Sequence, residues 1–64
     1  MIINGQRHAH RDGLTLHALL DELHVDPHRV VVMLGDSIYK RNDIPDVPVA
    51  EPDVIEIVTM MQGG

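Results

Sequence analysis

The two glycines at the end of the chain, Gly63 and Gly64, are the first residues whose type and position suggest chemistry. Glycine has no Cβ atom, so an extended Gly-Gly segment can pass through a narrow slot that larger residues would block. Such a segment can present the carboxylate of Gly64 to the nucleotide site of another enzyme. The structural alternative is a frayed terminus without a role, which is common at chain ends. The glycine pair alone leaves both interpretations open.

Imidazole groups are the second candidate, because histidine is the commonest metal ligand in proteins. The chain has five: His8, His10, His17, His24 and His28. Two of them, His8 and His10, are spaced to share one face of a strand, and His17 and His24 are spaced to share one side of a helix with Asp21. Neither group offers three ligands at an established metal spacing such as His-Glu-x-x-His. We therefore expect solvated polar faces and no metal site.

Turn signals and periodicity divide the first half of the chain into two strands and a helix. The pair Asn4-Gly5 is a strong hairpin signal, since both residues tolerate positive φ, and it predicts a returning strand over residues 6–10. Thr15 is suited to cap a helix, and Pro27 follows the segment that it would open. The apolar residues of that segment recur at the spacing of one helical stripe: Leu16, Leu19, Leu20 and Leu23. This pattern predicts an amphipathic helix from about Leu16 to about Leu23.

The second half of the chain predicts three strands. Residues 30–34 are apolar and mostly β-branched, and Gly35-Asp36 then predicts a turn into a short partner strand over residues 37–40. Residues 41–53 contain three prolines and predict an ordered loop. The last strand is predicted over residues 54–60. With the order strand, strand, helix, strand, strand, strand, one helix covers one face of a mixed sheet, which defines a two-layer α+β domain.

A sheet with a single helix has one open face, and the last strand indicates which residues lie there. Alternation places Ile55 and Ile57 against the helix and turns Val58 and Met60 to the open side. Exposed apolar residues in a patch are typical of a partner surface; the alternative is that the long loop covers them. We predict four partner-binding residues: Val58, Met60, Met61 and Gln62.

Composition limits the classes of function. With 64 residues the chain is expected to be one domain, 1–64, with a flexible tail over about residues 61–64. Cysteine is absent, which excludes a disulfide framework and a cysteine nucleophile. The net charge of −5 disfavours nucleic acid as a partner. No segment is long and apolar enough to span a membrane, and we expect a cytoplasmic location.

The order and spacing of these motifs resemble one family from nearly end to end. They are Asn4-Gly5, the segments 14–16 and 19–20 that open the helix, the Val30-Val31-Val32 run, the segment 53–58 and the terminal Gly63-Gly64. Together they are similar to the ThiS/MoaD family of prokaryotic sulfur carriers, and the compact length is closer to the ThiS branch. The resemblance implies a ubiquitin-like β-grasp fold.

The resemblance also implies a mechanism. An adenylyltransferase of the ubiquitin-activating type, ThiF-like, is expected to adenylate the Gly64 carboxylate with ATP, so that no cofactor is bound by this chain itself. Sulfur from a persulfide then displaces AMP and leaves a thiocarboxylate. A sulfur acceptor such as a ThiG-like thiazole synthase, on the route to thiamin, is expected to take the sulfur. The chain is then a carrier and not an enzyme.

Two other functions remain open on the sequence. A MoaD-like carrier serves molybdopterin or tungstopterin synthesis, or another sulfur product, with the same terminal chemistry. A β-grasp interaction module has no carrier chemistry, and its Gly63-Gly64 is vestigial. Intact mass after incubation with an activating enzyme, ATP and a sulfur donor separates the carriers from the module.

Overall fold

The computed structural model of the protein describes residues 1–59. In this part of the chain the elements follow the predicted order of two strands, a helix and three strands. They are β1 Ile2–Ile3, β2 Gln6–Arg7, α1 Leu16–Glu22, β3 Val30–Leu34, β4 Ser37–Tyr39 and β5 Val54–Thr59.

The five strands form one mixed sheet in the order β2-β1-β5-β3-β4. The last strand, β5, is central: it pairs in parallel with β1 and antiparallel with β3. Its Ile55 is fully buried in a core that also holds Val30 and Val32 of β3 and three leucines of α1. The predicted α+β class, with one helix on a five-stranded mixed sheet, is confirmed.

Helix α1 begins and ends where its sequence predicts to within one residue. Thr15 has an extended backbone, and its hydroxyl accepts a hydrogen bond from the backbone N–H of Ala18 at 3.3 Å, which satisfies one of the unpaired donors of the first turn. Leu23 caps the other end, followed by His24 with a positive φ of 58°. The apolar stripe faces the sheet: Leu16, Leu19 and Leu20 are buried and Leu23 is half-buried.

Two predicted strands are shorter in the structure. β2 ends at Arg7 and does not continue to His10. The hairpin bonds stop at His8, whose N–H donates to the Met1 carbonyl at 2.8 Å, while the ring of His10 is held by the long loop instead. β4 ends at Tyr39, one residue before the predicted end. In β5, Thr59 is the last residue that the structure describes.

The loop over residues 41–53 completes the core, which the sequence pattern did not predict. Its Ile44 and Val49 are buried among the core residues. Backbone hydrogen bonds hold the loop beside the helix. The N–H of Leu16 donates to the Val47 carbonyl at 2.8 Å, and the N–H of Val49 donates to the Leu14 carbonyl at 2.9 Å. The loop therefore packs on the helix side of the sheet and leaves Val58, on the other side, exposed.

An acidic residue of this loop also binds the start of the helix. The pKa of Asp46 is held below its ordinary value, first by a hydrogen bond from the Thr15 hydroxyl and then by one from the backbone N–H of His17; the latter spans 3.1 Å. Both bonds are stronger to the ionised carboxylate than to the neutral acid. The helix start and the loop are therefore joined by a charged group.

Replacing Asp46 by Asn should make this contribution visible as a pH dependence. Because the folded pKa is lowered, the ionised carboxylate adds stability above the ordinary value of 3.8, and this is lost as the pH falls through the lower folded value. We expect Asp46→Asn to melt below the wild type at neutral pH and to match it well below pH 3.8. Thermal melts of both proteins across this range measure the difference. A gap independent of pH would contradict the assignment.

Shortening a buried leucine tests the core. Leu20 is 1% exposed, so Leu20→Ala should lower the free energy of unfolding by about 2–5 kcal/mol. This is a large part of the stability of a small domain. Leu23→Ala makes the same chemical change at a half-buried position and should cost less. Denaturant unfolding of both variants gives the comparison, and equal losses would show that the helix face is assigned wrongly.

Candidate functional site

The predicted site residues fall at the end of β5 and beyond it. Val58 is 47% exposed and lies on the sheet face opposite the buried Ile55. Its predicted exposure is therefore observed, whereas its role in partner binding stays a prediction. The other predicted site residues lie outside the described residues: Met60, Met61, Gln62, Gly63 and Gly64.

Val58 belongs to a larger apolar surface on the open face of the sheet, which we name the open-face patch. Residues that are paired across neighbouring strands point to the same face, and the register pairs Ile2 with Val54, Val31 with Val58, and Met33 with both Ile38 and Glu56. Four apolar members are exposed, and two are half-buried. The patch consists of Ile2, Val31, Met33, Ile38, Val54 and Val58.

The open-face patch is suited to contact another protein. Ile38 and Val54 are 65% and 50% exposed, and apolar side chains grouped on one face are typical of an interaction surface. Glu56 lies among them on the same face, in a chain whose net charge is −5. A partner with an apolar site and a basic rim matches this surface, because opposite charges favour the encounter.

Asn4 joins the hairpin turn to the part of β5 that precedes the terminal segment. As predicted, Asn4 and Gly5 both have positive φ, 51° and 81°. The backbone N–H of Asn4 donates to the Ile55 carbonyl at 2.9 Å. Its side-chain Oδ1 accepts from the backbone N–H of Ile57 at 2.7 Å. The residue pattern predicts the turn at Asn4 but not this second contact, since residue types do not show a long-range bond.

Two of the five histidines, His10 and His17, bind the backbone of the long loop through their rings. Nε2 of His10 lies 2.6 Å from the Val49 carbonyl oxygen, and Nε2 of His17 lies 2.6 Å from that of Ile44. His28 contacts Asn42 through its side chain. His24 follows the helix and does not extend the predicted row with His17. In residues 1–59 no three histidine or acidic side chains converge on a position where they could hold a metal ion.

Two general features complete the description of the site. Over the described length of the chain, no helix is both long and apolar enough to cross a membrane. An open depression in this region, with a volume of about 550 Å³, is lined by Arg7, His8 and Glu51 among others. It lies beside the start of β5, at Pro52, whereas the predicted site follows the other end of that strand.

The fold is that of a ubiquitin-like β-grasp domain with one open, apolar sheet face. Comparison with known proteins gives the family: the ThiS family model matches residues 1–64. The chain belongs to the ThiS family of sulfur carriers, which confirms the resemblance seen in the sequence.

Two relatives show how this similarity is distributed. The chain is 38% identical over 53 residues to the sulfur carrier protein ThiS of Thermus thermophilus, a match that covers 83% of each chain. It is also 34% identical over 64 residues to a thiazole synthase of Paramagnetospirillum magneticum. That second match covers all of this chain but only 20% of the relative. A segment similar to this whole domain is therefore part of a longer thiazole synthase chain.

Proposed function

We propose that this chain carries sulfur as a thiocarboxylate on Gly64 and delivers it for synthesis of the thiamin thiazole. The observation that supports this most directly is the family membership, together with the Gly63-Gly64 pair in the sequence. The described domain contributes a rigid body with an apolar face, and the reactive group belongs to the terminal segment. The chain acts as a carrier and not as a catalyst, and we place it in the cytoplasm.

The chemistry begins with activation of a carboxylate that is unreactive by itself. An oxygen of the Gly64 carboxylate attacks the α-phosphorus of ATP, and pyrophosphate leaves. In the resulting acyl adenylate, AMP is a good leaving group, so that a sulfur nucleophile can displace it. A persulfide on a partner supplies that sulfur, and cleavage of its sulfur–sulfur bond by a thiol releases the thiocarboxylate. Both the nucleotide site and the sulfur donor belong to partners, which fits a chain without cysteine.

Besides the sulfur donor, this sequence of steps requires an activating enzyme and a sulfur acceptor. The first is a ThiF-like adenylyltransferase, which binds ATP and activates Gly64. The second is a sulfur acceptor, for which we propose a ThiG-like thiazole synthase. The relative in which a similar segment lies within a thiazole synthase chain supports this choice, because joined segments share one reaction at high effective concentration. This observation favours thiamin over molybdopterin or tungstopterin synthesis.

The terminal glycines give the most direct test of carrier chemistry. Deletion of Gly64 should abolish adenylation, and Gly63→Val should strongly reduce it, because a β-branched side chain obstructs a narrow channel. Both changes lie outside the described core, so the melting temperature should stay unchanged. The measurement is ATP–pyrophosphate exchange with a ThiF-like enzyme, followed by intact mass with a sulfur donor present. The wild type should gain the mass difference between sulfur and oxygen. Normal exchange by the deletion variant would disprove the proposal.

A charge on the open-face patch should weaken partner binding. Val58→Asp places a carboxylate on the exposed apolar face, so binding to the adenylyltransferase should fall at least tenfold, as for a contact that is removed and replaced by an unpaired charge. Thr59→Asp is the matched control: it adds the same side chain at the next position, which is exposed on the other side of β5. Titration calorimetry measures both affinities, and far-ultraviolet circular dichroism checks the fold. Equal losses would place the contact elsewhere.

Met60 lies outside the described residues, but the alternation of the sequence predicts it on the open face with Val58. The double substitution Val58→Asp with Met60→Asp should weaken binding further while sparing the fold, since changes at exposed positions seldom cost much stability. If the double variant unfolds, these side chains belong to the core and the partner contacts another surface.

A further inference from the structure

The structure shows that β5 is held unequally on its two sides near the terminal segment. On one side it pairs with β3 as far as Thr59, which lies opposite Val30. On the other side, β1 ends at Ile3, opposite Ile55, and the chain turns away at Asn4-Gly5. Beyond Ile55, backbone pairing therefore continues on the β3 side only.

The Asn4 side chain extends the β1 side of the ladder by one further bond. Along this row, the N–H of Ile2 donates to the Asp53 carbonyl at 3.0 Å, and the N–H of Asn4, directly after β1, donates to the Ile55 carbonyl at 2.9 Å. The next group of β5 in this row is the N–H of Ile57, and it donates to Oδ1 of Asn4 at 2.7 Å. A side-chain oxygen thus occupies the place of a backbone carbonyl that the turn has taken away.

We propose that Asn4 is a positioning residue for the carrier reaction: its side chain holds β5 in line up to Ile57, and so fixes the direction in which the segment bearing Gly64 begins. The inference rests on the proposed function, because the direction matters only if Gly64 must enter a partner's nucleotide site. Asn4 itself contacts no substrate.

One hydrogen bond at Ile57 matters because a change in the direction of β5 there is carried into the segment that follows it. Thr59, the last described residue, lies two positions beyond Ile57, and two residues of a strand span roughly 7 Å. A tilt of about 10° at Ile57 therefore displaces Thr59, and with it the start of the terminal segment, by about 1 Å, which is a misplacement large enough to matter for a reacting group that must be positioned. If β5 points in several directions before docking, a smaller fraction of molecules can enter the partner's channel, and the apparent affinity falls by that fraction.

The turn residue can be changed so that only the side-chain acceptor is lost. Asn4→Gly leaves a Gly-Gly turn, which accepts the same positive φ values, but it removes Oδ1. Asn4→Asp keeps an oxygen acceptor and a residue suited to this turn, and serves as the conservative rescue. Thr15→Ala removes the helix N-cap instead, which lowers stability by a comparable amount at a site bonded to the helix and the loop.

The first measurement is the steady-state kinetics of ATP–pyrophosphate exchange, at a temperature where all four proteins are folded. Asn4→Gly should raise the KM for the carrier by about threefold to tenfold, the range expected for one hydrogen bond. The kcat should stay within about twofold of the wild type, since the docked segment is held by the partner. Asn4→Asp and Thr15→Ala should both keep the KM of the wild type. An equal rise for Asn4→Gly and Thr15→Ala, or no rescue by Asn4→Asp, would overturn the proposal.

The second measurement needs no partner and tests the contact directly. The backbone amide of Ile57 should exchange its hydrogen faster in Asn4→Gly than in the wild type, as measured by NMR. The amide of Val58, whose N–H faces β3, should exchange at the same rate in both proteins. A uniform acceleration of both amides would indicate only global destabilisation and would overturn the inference. If Asn4→Gly does not fold, the test is made on the wild type alone. An Ile57 amide that exchanges as fast as a solvent-exposed amide without a hydrogen bond contradicts the bond to Asn4.

Two outcomes of the pyrophosphate-exchange assay distinguish a failure of this inference from a failure of the proposed function. If the wild type supports no pyrophosphate exchange with any activating enzyme tested, the proposed function fails and so does the kinetic role of Asn4. If exchange is normal but its KM does not respond to Asn4→Gly, the carrier function stands and the positioning role of Asn4 is wrong.

Discussion

The pairing of the first strand with the last, β1 with β5, is the constraint on which the rest of this domain depends. It is parallel, so the chain between the two strands must cross from one end of the sheet to the other. The helix and the long loop make that crossing, and both pack on the same face. Because β5 is also paired with β3, its Ile55 lies at the centre of the core. The strand that precedes the predicted reactive segment is thus the best anchored strand of the sheet.

One helix of seven residues is too short to complete a core by itself. A chain of this length buries only roughly 60% of its unfolded surface, and it has no cysteine to cross-link. The loop supplies the missing cover with Ile44 and Val49, held by bonds from His10 and His17. The helix and the loop both cover the same face of the sheet. The other face remains apolar and open, and in a carrier that is the face available to partners.

The sequence predicts the regular elements well because their signals are periodic. The leucine spacing with Thr15 located α1 to within a residue, and the Val30–Leu34 run located β3. The loop residues in the core were missed, because an irregular segment with prolines has no period that marks its buried positions. The roles of His10 and Asn4 were missed for a related reason. Each depends on a bond to a residue 39 or 53 positions away, which residue type and local spacing do not encode.

The outer strands of the sheet have a consequence for how the protein behaves in a crowded solution. A long, flat edge strand is a template on which other chains can add strands and aggregate. Here the two outer strands, β2 and β4, have only two and three residues, and β2 carries the polar pair Gln6 and Arg7. The domain can therefore expose an apolar sheet face to water without exposing a long edge strand on which other chains could stack as in amyloid. A partner must therefore bind this face through side-chain contacts, and such a complex can dissociate again after each delivery of sulfur.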